Sequence, residues 1–204
     1  MWSSSSIIEQ ATTLCDEGLG LVAYYYFDFR DTAKQDVRGL LSSLVVQLSA
    51  KSNFCYDILS HLYSKHDAGF RLPDDDTLTK CLKDMLELAN LPPIYIVVDA
   101  LDECPNSSGA PSPRKLVLDL VKDLVALHLP SLCICVTCRP EADIQAALGP
   151  LVSHAVSLHD EAGQKQDIKD YISSTVQSDT EMEQWETEDR NLVIETLSQR
   201  AEGM

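Results

Sequence analysis

The sequence lacks the features that mark a secreted, membrane-spanning or nucleic-acid-binding protein. Its 16 lysines and arginines face 32 aspartates and glutamates, a formal net charge of −16, which argues against general affinity for nucleic acid or anionic membranes. No apolar run reaches the roughly 18 residues that cross a bilayer. The serine-rich start lacks the basic and apolar segments of a signal peptide. We therefore predict a cytoplasmic protein that binds neither nucleic acid nor a membrane.

Cysteine is present, but not in a pattern typical of disulfides or zinc sites. Seven cysteines cannot all pair, and a chain of this length does not depend on disulfides for its core, which favours a reducing compartment. Cys133, Cys135 and Cys138 lack a second C-x-x-C pair, although Cys104 could supply a fourth thiolate. We interpret Cys133 and Cys135 as small apolar residues on one face of a buried strand.

Two catalytic motifs are also missing. No G-x-S-x-G sequence occurs, so the chain has no nucleophile elbow of the α/β-hydrolase type. None of the eight glycines precedes a lysine, so the phosphate-binding loop G-x-x-x-x-G-K-[ST] is absent. An acidic chain without that loop is poorly suited to hold a polyphosphate.

What the sequence does contain is an alternation of short apolar runs and longer segments of helical period. Apolar runs at 21–29, 94–98 and 132–136 predict buried strands, with a weaker strand near 154–158. Helical spacing predicts helices over 5–17, 37–48, 54–62, 78–86, 114–128, 141–148, 164–177 and 188–201. This alternation predicts an α/β fold, with a mainly parallel sheet between layers of helices and a helical carboxyl-terminal end.

The most informative segment is the end of the second predicted strand. The run 94–98 delivers Asp99, and Asp102 and Glu103 follow within one turn. A hydrophobic strand that ends in an aspartate is how P-loop nucleotide hydrolases hold magnesium, and a nearby second carboxylate can polarise an attacking water. The alternative is that Asp99 merely ends a strand and that the other two carboxylates lie on a solvated turn.

Several segments, in the same order, resemble blocks of NACHT-type NTPases of the STAND class, and most closely the nephrocystin-like group found in fungal signal-transduction proteins. The matching segments are 24–31 (YYYFDFRD), 97–104 (VVDALDEC) and 136–141 (VTCRPE), followed by 156–158, 167–172 and 201–204. The resemblance implies a P-loop NTPase fold that binds magnesium with ATP or GTP. It also implies self-association, or contact with other protein modules, to relay a signal.

The resemblance assigns roles to individual residues at the ends of two strands. Asp99 matches the magnesium ligand and Ala100 the small residue that leaves room for phosphates. Asp102 and Glu103 match the acidic pair, with Glu103 activating water. Thr137 and Arg139 match the polar sensor of the neighbouring strand, where the arginine contacts a phosphate or holds the acidic pair. The alternative for Arg139 is a purely structural ion pair at a strand end.

The resemblance also places the missing phosphate loop just before the helix predicted over 5–17. We therefore expect the chain to begin after that loop and to lack the first, central strand, which would leave strand edges exposed. We expect residues 1–178 to form a partial NTPase core and residues 179–204 an acidic linker with the start of a further helical segment. We predict that the chain alone binds no nucleotide or magnesium tightly and is inactive. The alternative is a non-catalytic protein–protein interaction module on a degenerate NTPase scaffold.

Overall fold

A computed structural model describes residues 8–9, 12–13, 15, 18–89, 91–107, 111–156, 162–179 and 182–200. By their contacts the described residues divide into two units, one within residues 2–152 and the other within residues 153–204. The boundary predicted from sequence at 178–179 differs from this division and stays a prediction about domain organisation. Most features of functional interest lie in the first unit.

The first unit is built on a three-stranded parallel sheet. Its strands are β1 (Leu21–Tyr26), β2 (Ile94–Asp99) and β3 (Leu132–Val136), in the spatial order β1-β2-β3. The register pairs Tyr26 with Asp99 and Val98 with Val136. The α/β class and the three strands predicted from the apolar runs are confirmed. Because the strands are parallel and in register, their carboxyl ends meet at the same end of the sheet.

In the part of the chain that the structure describes, five helices with defined bounds accompany the sheet and two more lie in the second unit, besides the helical positions before residue 18. In the first unit they are α1 (Val37–Lys51), α2 (Asn53–Lys65), α3 (Asp75–Leu86), α4 (Pro113–Val125) and α5 (Ala142–Leu148). In the second unit they are α6 (Ala162–Ser178) and α7 (Thr187–Arg200). None of the helices in the described part of the chain combines the length and the apolar character that crossing a lipid bilayer requires.

The helix starts follow from short polar side chains. Asp36 accepts a hydrogen bond from the Gly39 amide at the start of α1, and Asp74 accepts one from Thr77 at the start of α3. Asp75 and Asp76 occupy the first turn of α3, where the positive end of the helix dipole stabilises carboxylates. The aspartate cluster at residues 74–76 is therefore explained by helix capping.

The hydrophobic core lies on one side of the sheet, which we call the covered face. It joins alternate residues of all three strands, such as Ala23, Ile96 and Ile134, to the apolar sides of α1, α3 and α4. Residues of β1 and β2 on this face are buried, whereas those of β3 are partly exposed, and Cys133 on the opposite face is exposed. The prediction of a fully buried third strand is therefore wrong, because β3 forms an edge of the sheet.

The outer edge of β1 is capped by side chains of α1. Gln47 accepts a hydrogen bond from the Tyr24 amide through Oε1 (3.1 Å) and donates one to the Tyr24 carbonyl through Nε2 (2.7 Å). Lys51 Nζ donates to the Val22 carbonyl at 2.7 Å. These contacts occupy the backbone groups that another strand would otherwise use.

Two predicted elements are described only in part. Residues 8–9, 12–13 and 15 are helical, as predicted for 5–17, while the other positions of that helix lie outside the described residues. Residues 154–156 are not a strand, and positions 157–158 of that prediction lie outside the described residues. The segment 201–204, quoted for its family resemblance, also lies outside them.

Candidate functional site

The ends of β2 and β3 bring Asp99 and Thr137 into direct contact. The Thr137 hydroxyl donates to Asp99 Oδ1 and accepts a hydrogen bond from the Ala100 amide at 3.1 Å. The Thr137 peptide extends the ladder, since its amide donates to the Val98 carbonyl (2.9 Å) and its carbonyl accepts from Leu101 (3.0 Å). Three predicted site residues, Asp99, Ala100 and Thr137, are thus one hydrogen-bonded group.

Ala100 makes the sharp turn that follows β2. Its backbone is left-handed, with φ 54° and ψ 45°, and it leads into a single 3-10 turn over Leu101–Glu103. A residue with a Cβ atom occupies this conformation at a cost of about 1 kcal/mol, and such backbone strain clusters at functional sites. The fully buried Leu101 anchors the turn in the core. The turn therefore has a fixed position when it presents the two following carboxylates.

Asp102 is held by the chain segment that follows β3. The Arg139 amide donates to Asp102 Oδ1 at 3.0 Å, and Arg139 Nε lies 3.4 Å from Asp102 Oδ2. The Asp102 side chain is 10% exposed, whereas the Arg139 side chain is 73% exposed. Arg139 therefore forms an ion pair with Asp102 in the structure. Because most of the guanidinium faces solvent, the pair adds at most about 1 kcal/mol of stability.

Glu103 is attached to the loop after β1. Its Oε2 accepts a hydrogen bond from the Phe29 amide at 3.2 Å. In the same loop, Arg30 pairs with Asp28, which raises the pKa of the guanidinium, and Glu103 adds a smaller contribution in the same direction. The turn Leu101–Glu103, which we call the acidic turn, therefore connects the loops that follow all three strands.

The six predicted residues divide into two neighbouring groups. Asp102, Glu103 and Arg139 line an open cavity of about 350 Å³, together with Phe29 and Arg114 among others. The other three predicted residues form the hydrogen-bonded group at the strand ends and are not among those that line this cavity. The carboxyl edge of the sheet thus offers a solvent-filled recess beside a carboxylate and a hydroxyl.

Arg114 is a component of the site that sequence reasoning missed. It is buried in the first turn of α4, where Nε donates to the Cys104 carbonyl (2.9 Å) and Nη2 to the Asp102 carbonyl (2.5 Å). Its Nη1 lies 3.3 Å from both carboxylate oxygens of Asp143 on α5. An arginine in a first helical turn is normally solvated. The sequence therefore contains no sign that Arg114 is buried and hydrogen-bonded to the carbonyls at the end of the acidic turn.

The cysteines near the site are arranged for packing. Cys104 is buried, its thiol donates to the Gln35 carbonyl at 3.4 Å, and burial raises its pKa to about 12. Burial also raises the pKa of Cys138 and of Cys135. A cysteine binds a metal as the thiolate, and a raised pKa opposes formation of the thiolate. Within the described ranges, no group of three or more His, Cys, Asp and Glu side chains is positioned to hold a metal.

The oxygen atoms at the strand ends fit magnesium better than a metal ion whose ligands must all come from protein side chains. Asp99 supplies a carboxylate and Thr137 a hydroxyl in contact with it. Magnesium prefers oxygen ligands and is usually held by one or two carboxylates together with substrate phosphates and water. A lone carboxylate with a neighbouring hydroxyl matches the protein's share of such a site.

Comparison with known proteins identifies a family for this chain. No curated protein and no solved structure matches the chain. The family described as Nephrocystin 3, N-terminal, matches residues 2–139. This span contains all three strands and ends at Arg139, so it includes every predicted site residue. Since the match covers well over half of the 204 residues, the chain belongs to the nephrocystin 3 N-terminal family.

Proposed function

We propose that the chain carries the magnesium-binding half of a NACHT-type, nucleotide-dependent switch domain that acts in signal transduction. The observation that carries the proposal is the contact between Asp99 and Thr137 at the adjacent ends of two parallel strands. Ligands of open α/β sheets bind at the carboxyl ends of the strands. Membership of the nephrocystin 3 N-terminal family supports the same location.

Each residue has a role in this proposal. Asp99, oriented by the Thr137 hydroxyl, would hold magnesium, and that ion, when bound, neutralises charge on the phosphates of ATP or GTP. Glu103 orients the attacking water by accepting a hydrogen bond. The exposed Arg139 guanidinium contacts a phosphate oxygen, and Asp102 keeps that arginine at the strand end.

We further propose that the chain by itself binds the metal–nucleotide complex only weakly. The 204 residues contain no phosphate-binding loop. The chain therefore lacks the loop's lysine and backbone amides, which would bind the phosphates. One carboxylate provides little of the energy needed to remove water from magnesium. The net charge of −16 also weakens the binding of a polyphosphate, because both carry negative charge. Tight binding would require phosphate contacts from outside these residues.

A paramagnetic titration tests the position of the metal. Mn²⁺, an oxygen-binding substitute for magnesium, is added with ATP to isotopically labelled protein, and amide line broadening is recorded. We expect broadening centred on residues 99–103 and Thr137, and we expect Asp99→Asn to abolish it. Asp119→Asn is the matched control, because Asp119 pairs with Lys115 on the surface of α4 and its loss should change nothing near the strand ends.

Two outcomes would contradict the proposal. Broadening spread over the acidic surface, unchanged by Asp99→Asn, would remove the magnesium role from Asp99. Micromolar binding of magnesium–ATP to the 204-residue chain in calorimetry would refute the claim of weak binding by the chain alone.

A non-catalytic interaction module is the second candidate function. The observation in its favour is that both carboxylates of the acidic turn already bond within the protein, Asp102 to Arg139 and Glu103 to Phe29. On this alternative the turn is a structural connector, and no localised Mn²⁺ broadening occurs at any nucleotide concentration.

A further inference from the structure

Arg114 is a buried arginine whose hydrogen bonds converge on the acidic turn and the residues directly after it. Its backbone amide donates to the Pro105 carbonyl at 3.1 Å. Its guanidinium donates to the carbonyls of Cys104 at 2.9 Å and of Asp102 at 2.5 Å. Three carbonyls within a short stretch of chain thus accept hydrogen bonds from one residue. The path of the chain out of the acidic turn is therefore set by Arg114.

The same guanidinium also reaches the helix that follows β3. Its Nη1 lies 3.3 Å from both carboxylate oxygens of Asp143, in the first turn of α5. Asn106, just after the acidic turn, donates to Asp143 Oδ2 at 3.0 Å and accepts a hydrogen bond from the Ser112 hydroxyl at 3.1 Å. Asp143 follows Arg139 closely in the sequence. Arg114 and Asp143 thus join the acidic turn to the segment that carries Arg139.

Stability alone does not explain why this charge is buried. Removing an arginine from water is costly, and an apolar residue of similar volume in its place is often neutral or stabilising. The Arg114 side chain is 9% exposed, whereas that of its partner Asp143 is 35% exposed, so the carboxylate stays partly solvated. Arg38, at the start of α1, also binds a carboxylate and a carbonyl, those of Asp75 and Pro73, but is 39% exposed. An arginine can therefore tie down a helix start without being buried.

We propose that Arg114 is a positioning residue of the candidate site, which fixes the two carboxylates of the acidic turn relative to Arg139. This role rests on the proposed function, in which Glu103 orients water and Arg139 contacts a phosphate. A guanidinium suits the task, because its planar fork donates in fixed directions to two carbonyls and a carboxylate at once. Arg114 binds the turn through main-chain oxygens, so the carboxylates of Asp102 and Glu103 remain available to other donors.

Amide hydrogen exchange, measured by NMR on the full chain, tests this role. The Phe29 amide donates to the Glu103 carboxylate. The Arg139 amide donates to the Asp102 carboxylate, so these two amides report where the carboxylates of the acidic turn lie. Lysine keeps the charge of Arg114, but its single nitrogen cannot serve all three acceptors in fixed directions. We therefore expect Arg114→Lys to speed exchange of both amides at least about fivefold, while amides within β2 keep their rates.

Arg38→Lys is the matched control. Arg38 occupies the second position of α1, as Arg114 does in α4, and it also binds a carboxylate and a carbonyl. It should leave the exchange of the Phe29 and Arg139 amides unchanged, even where it lowers the free energy of unfolding. The pair of variants separates positioning from a general loss of stability, which would speed exchange throughout the chain.

Asp143→Asn provides a second test, which carries the proposal if Arg114→Lys does not fold. Because the Asp143 side chain is 35% exposed, this substitution changes a partly solvated group and leaves Arg114 in place. We expect it to speed exchange of the Phe29 and Arg139 amides at least about twofold. It should add nothing further in the Arg114→Lys background, because the two residues act as a unit. Additive effects of the two substitutions would overturn the proposal.

The Mn²⁺–ATP titration distinguishes failure of this role from failure of the proposed function. Arg114→Lys should retain the broadening around Asp99 and Thr137, because those residues belong to the group at the strand ends. Localised broadening in the unsubstituted chain, with unchanged exchange of the Phe29 and Arg139 amides in both variants, would overturn the positioning role alone. No localised broadening in the unsubstituted chain would refute the magnesium role of Asp99, on which the positioning role rests.

Discussion

The two outer edges of the sheet differ in whether their outward backbone groups have hydrogen-bond partners in the described part of the chain. On β1, Gln47 satisfies both the amide and the carbonyl of Tyr24, and Lys51 satisfies the carbonyl of Val22. On β3, the equivalent outward groups of Ile134 and Val136 have no hydrogen-bond partner in the described ranges. The difference shows that side chains of a helix can replace a neighbouring strand, because an amide group has the same donor and acceptor as a peptide.

The reason for the difference is the chain that follows each strand. After β1 the long helix α1 packs against the same strand, and Gln47 and Lys51 are four residues apart, on one face of it. Gln47 Nε2 also donates to the Ser43 hydroxyl at 2.8 Å, which orients the amide. After β3 comes the short helix α5, which packs against α4. Among the described residues, no side chain of a helix bonds to the outward peptide groups of β3 as Gln47 and Lys51 do on β1.

Removing the cap on β1 should have the largest effect. Gln47→Leu leaves the Tyr24 amide and carbonyl partly buried without partners, and we expect it to lower the free energy of unfolding by about 2–3 kcal/mol. Gln47→Glu should cost less, because its carboxylate still accepts from the amide although it cannot donate to the carbonyl. Urea unfolding followed by circular dichroism measures both changes. A loss below about 0.5 kcal/mol for Gln47→Leu would show that solvent caps this edge equally well.

A smaller effect is expected inside β1, on its covered face. The Tyr25 hydroxyl donates to the Ala33 carbonyl at 3.3 Å, so Tyr25→Phe should cost about 1 kcal/mol at neutral pH. Burial, followed by the charge of Asp36, raises the pKa of Tyr25 from 10.0 to about 12. Because the folded-state pKa exceeds the unfolded value, the stability contributed by the neutral phenol is complete below pH 10 and declines between pH 10 and 12.

Unfolding measured from pH 8 to 12 checks this prediction. Tyr25→Phe should flatten the decline above pH 10, whereas Tyr56→Phe, on the exposed side of α2, should leave it unchanged. An identical alkaline decline in the Tyr25→Phe variant would assign the effect to other groups, such as the buried Cys104, whose pKa is raised to about 12.

The smallest effect is expected on β3. Cys133 is exposed, so Cys133→Ser removes little packing and should change the free energy of unfolding of the monomer by less than about 0.5 kcal/mol. Urea unfolding at a low protein concentration measures it. A loss above about 1 kcal/mol would mean that the outer edge of β3 is packed in solution, and the contrast between the two edges would no longer hold.

Local patterns were sufficient to predict the three strands and the polar residues that follow them. Uninterrupted apolar runs predicted the three strands, because such runs are typical of strands buried on both faces of a parallel sheet. Because β2 and β3 are neighbouring parallel strands, their carboxyl ends meet, and this brings Asp99 and Thr137 into contact. The magnesium, nucleotide and signalling roles of these residues stay predictions.

Other components depend on contacts that have no local sequence signal. Arg114 has the sequence context of an exposed first-turn residue, yet it is buried against the carbonyls of Asp102 and Cys104. The attachment of Glu103 to the Phe29 amide joins residues 74 positions apart. Such contacts are decided by how α4 and the loops pack around the strand ends.

The sequence by itself therefore determined the alternation of strands and helices and the order of the polar residues that follow each strand. Those features depend on periodicity and on short-range backbone preferences, which a chain carries in its local composition. The tertiary structure alone decided that side chains of α1 cap the outer edge of β1. The Leu132–Val136 run is as apolar as the 94–98 run of β2, and only its position at an edge, with no helix laid alongside, leaves its outward peptide groups without partners among the described residues.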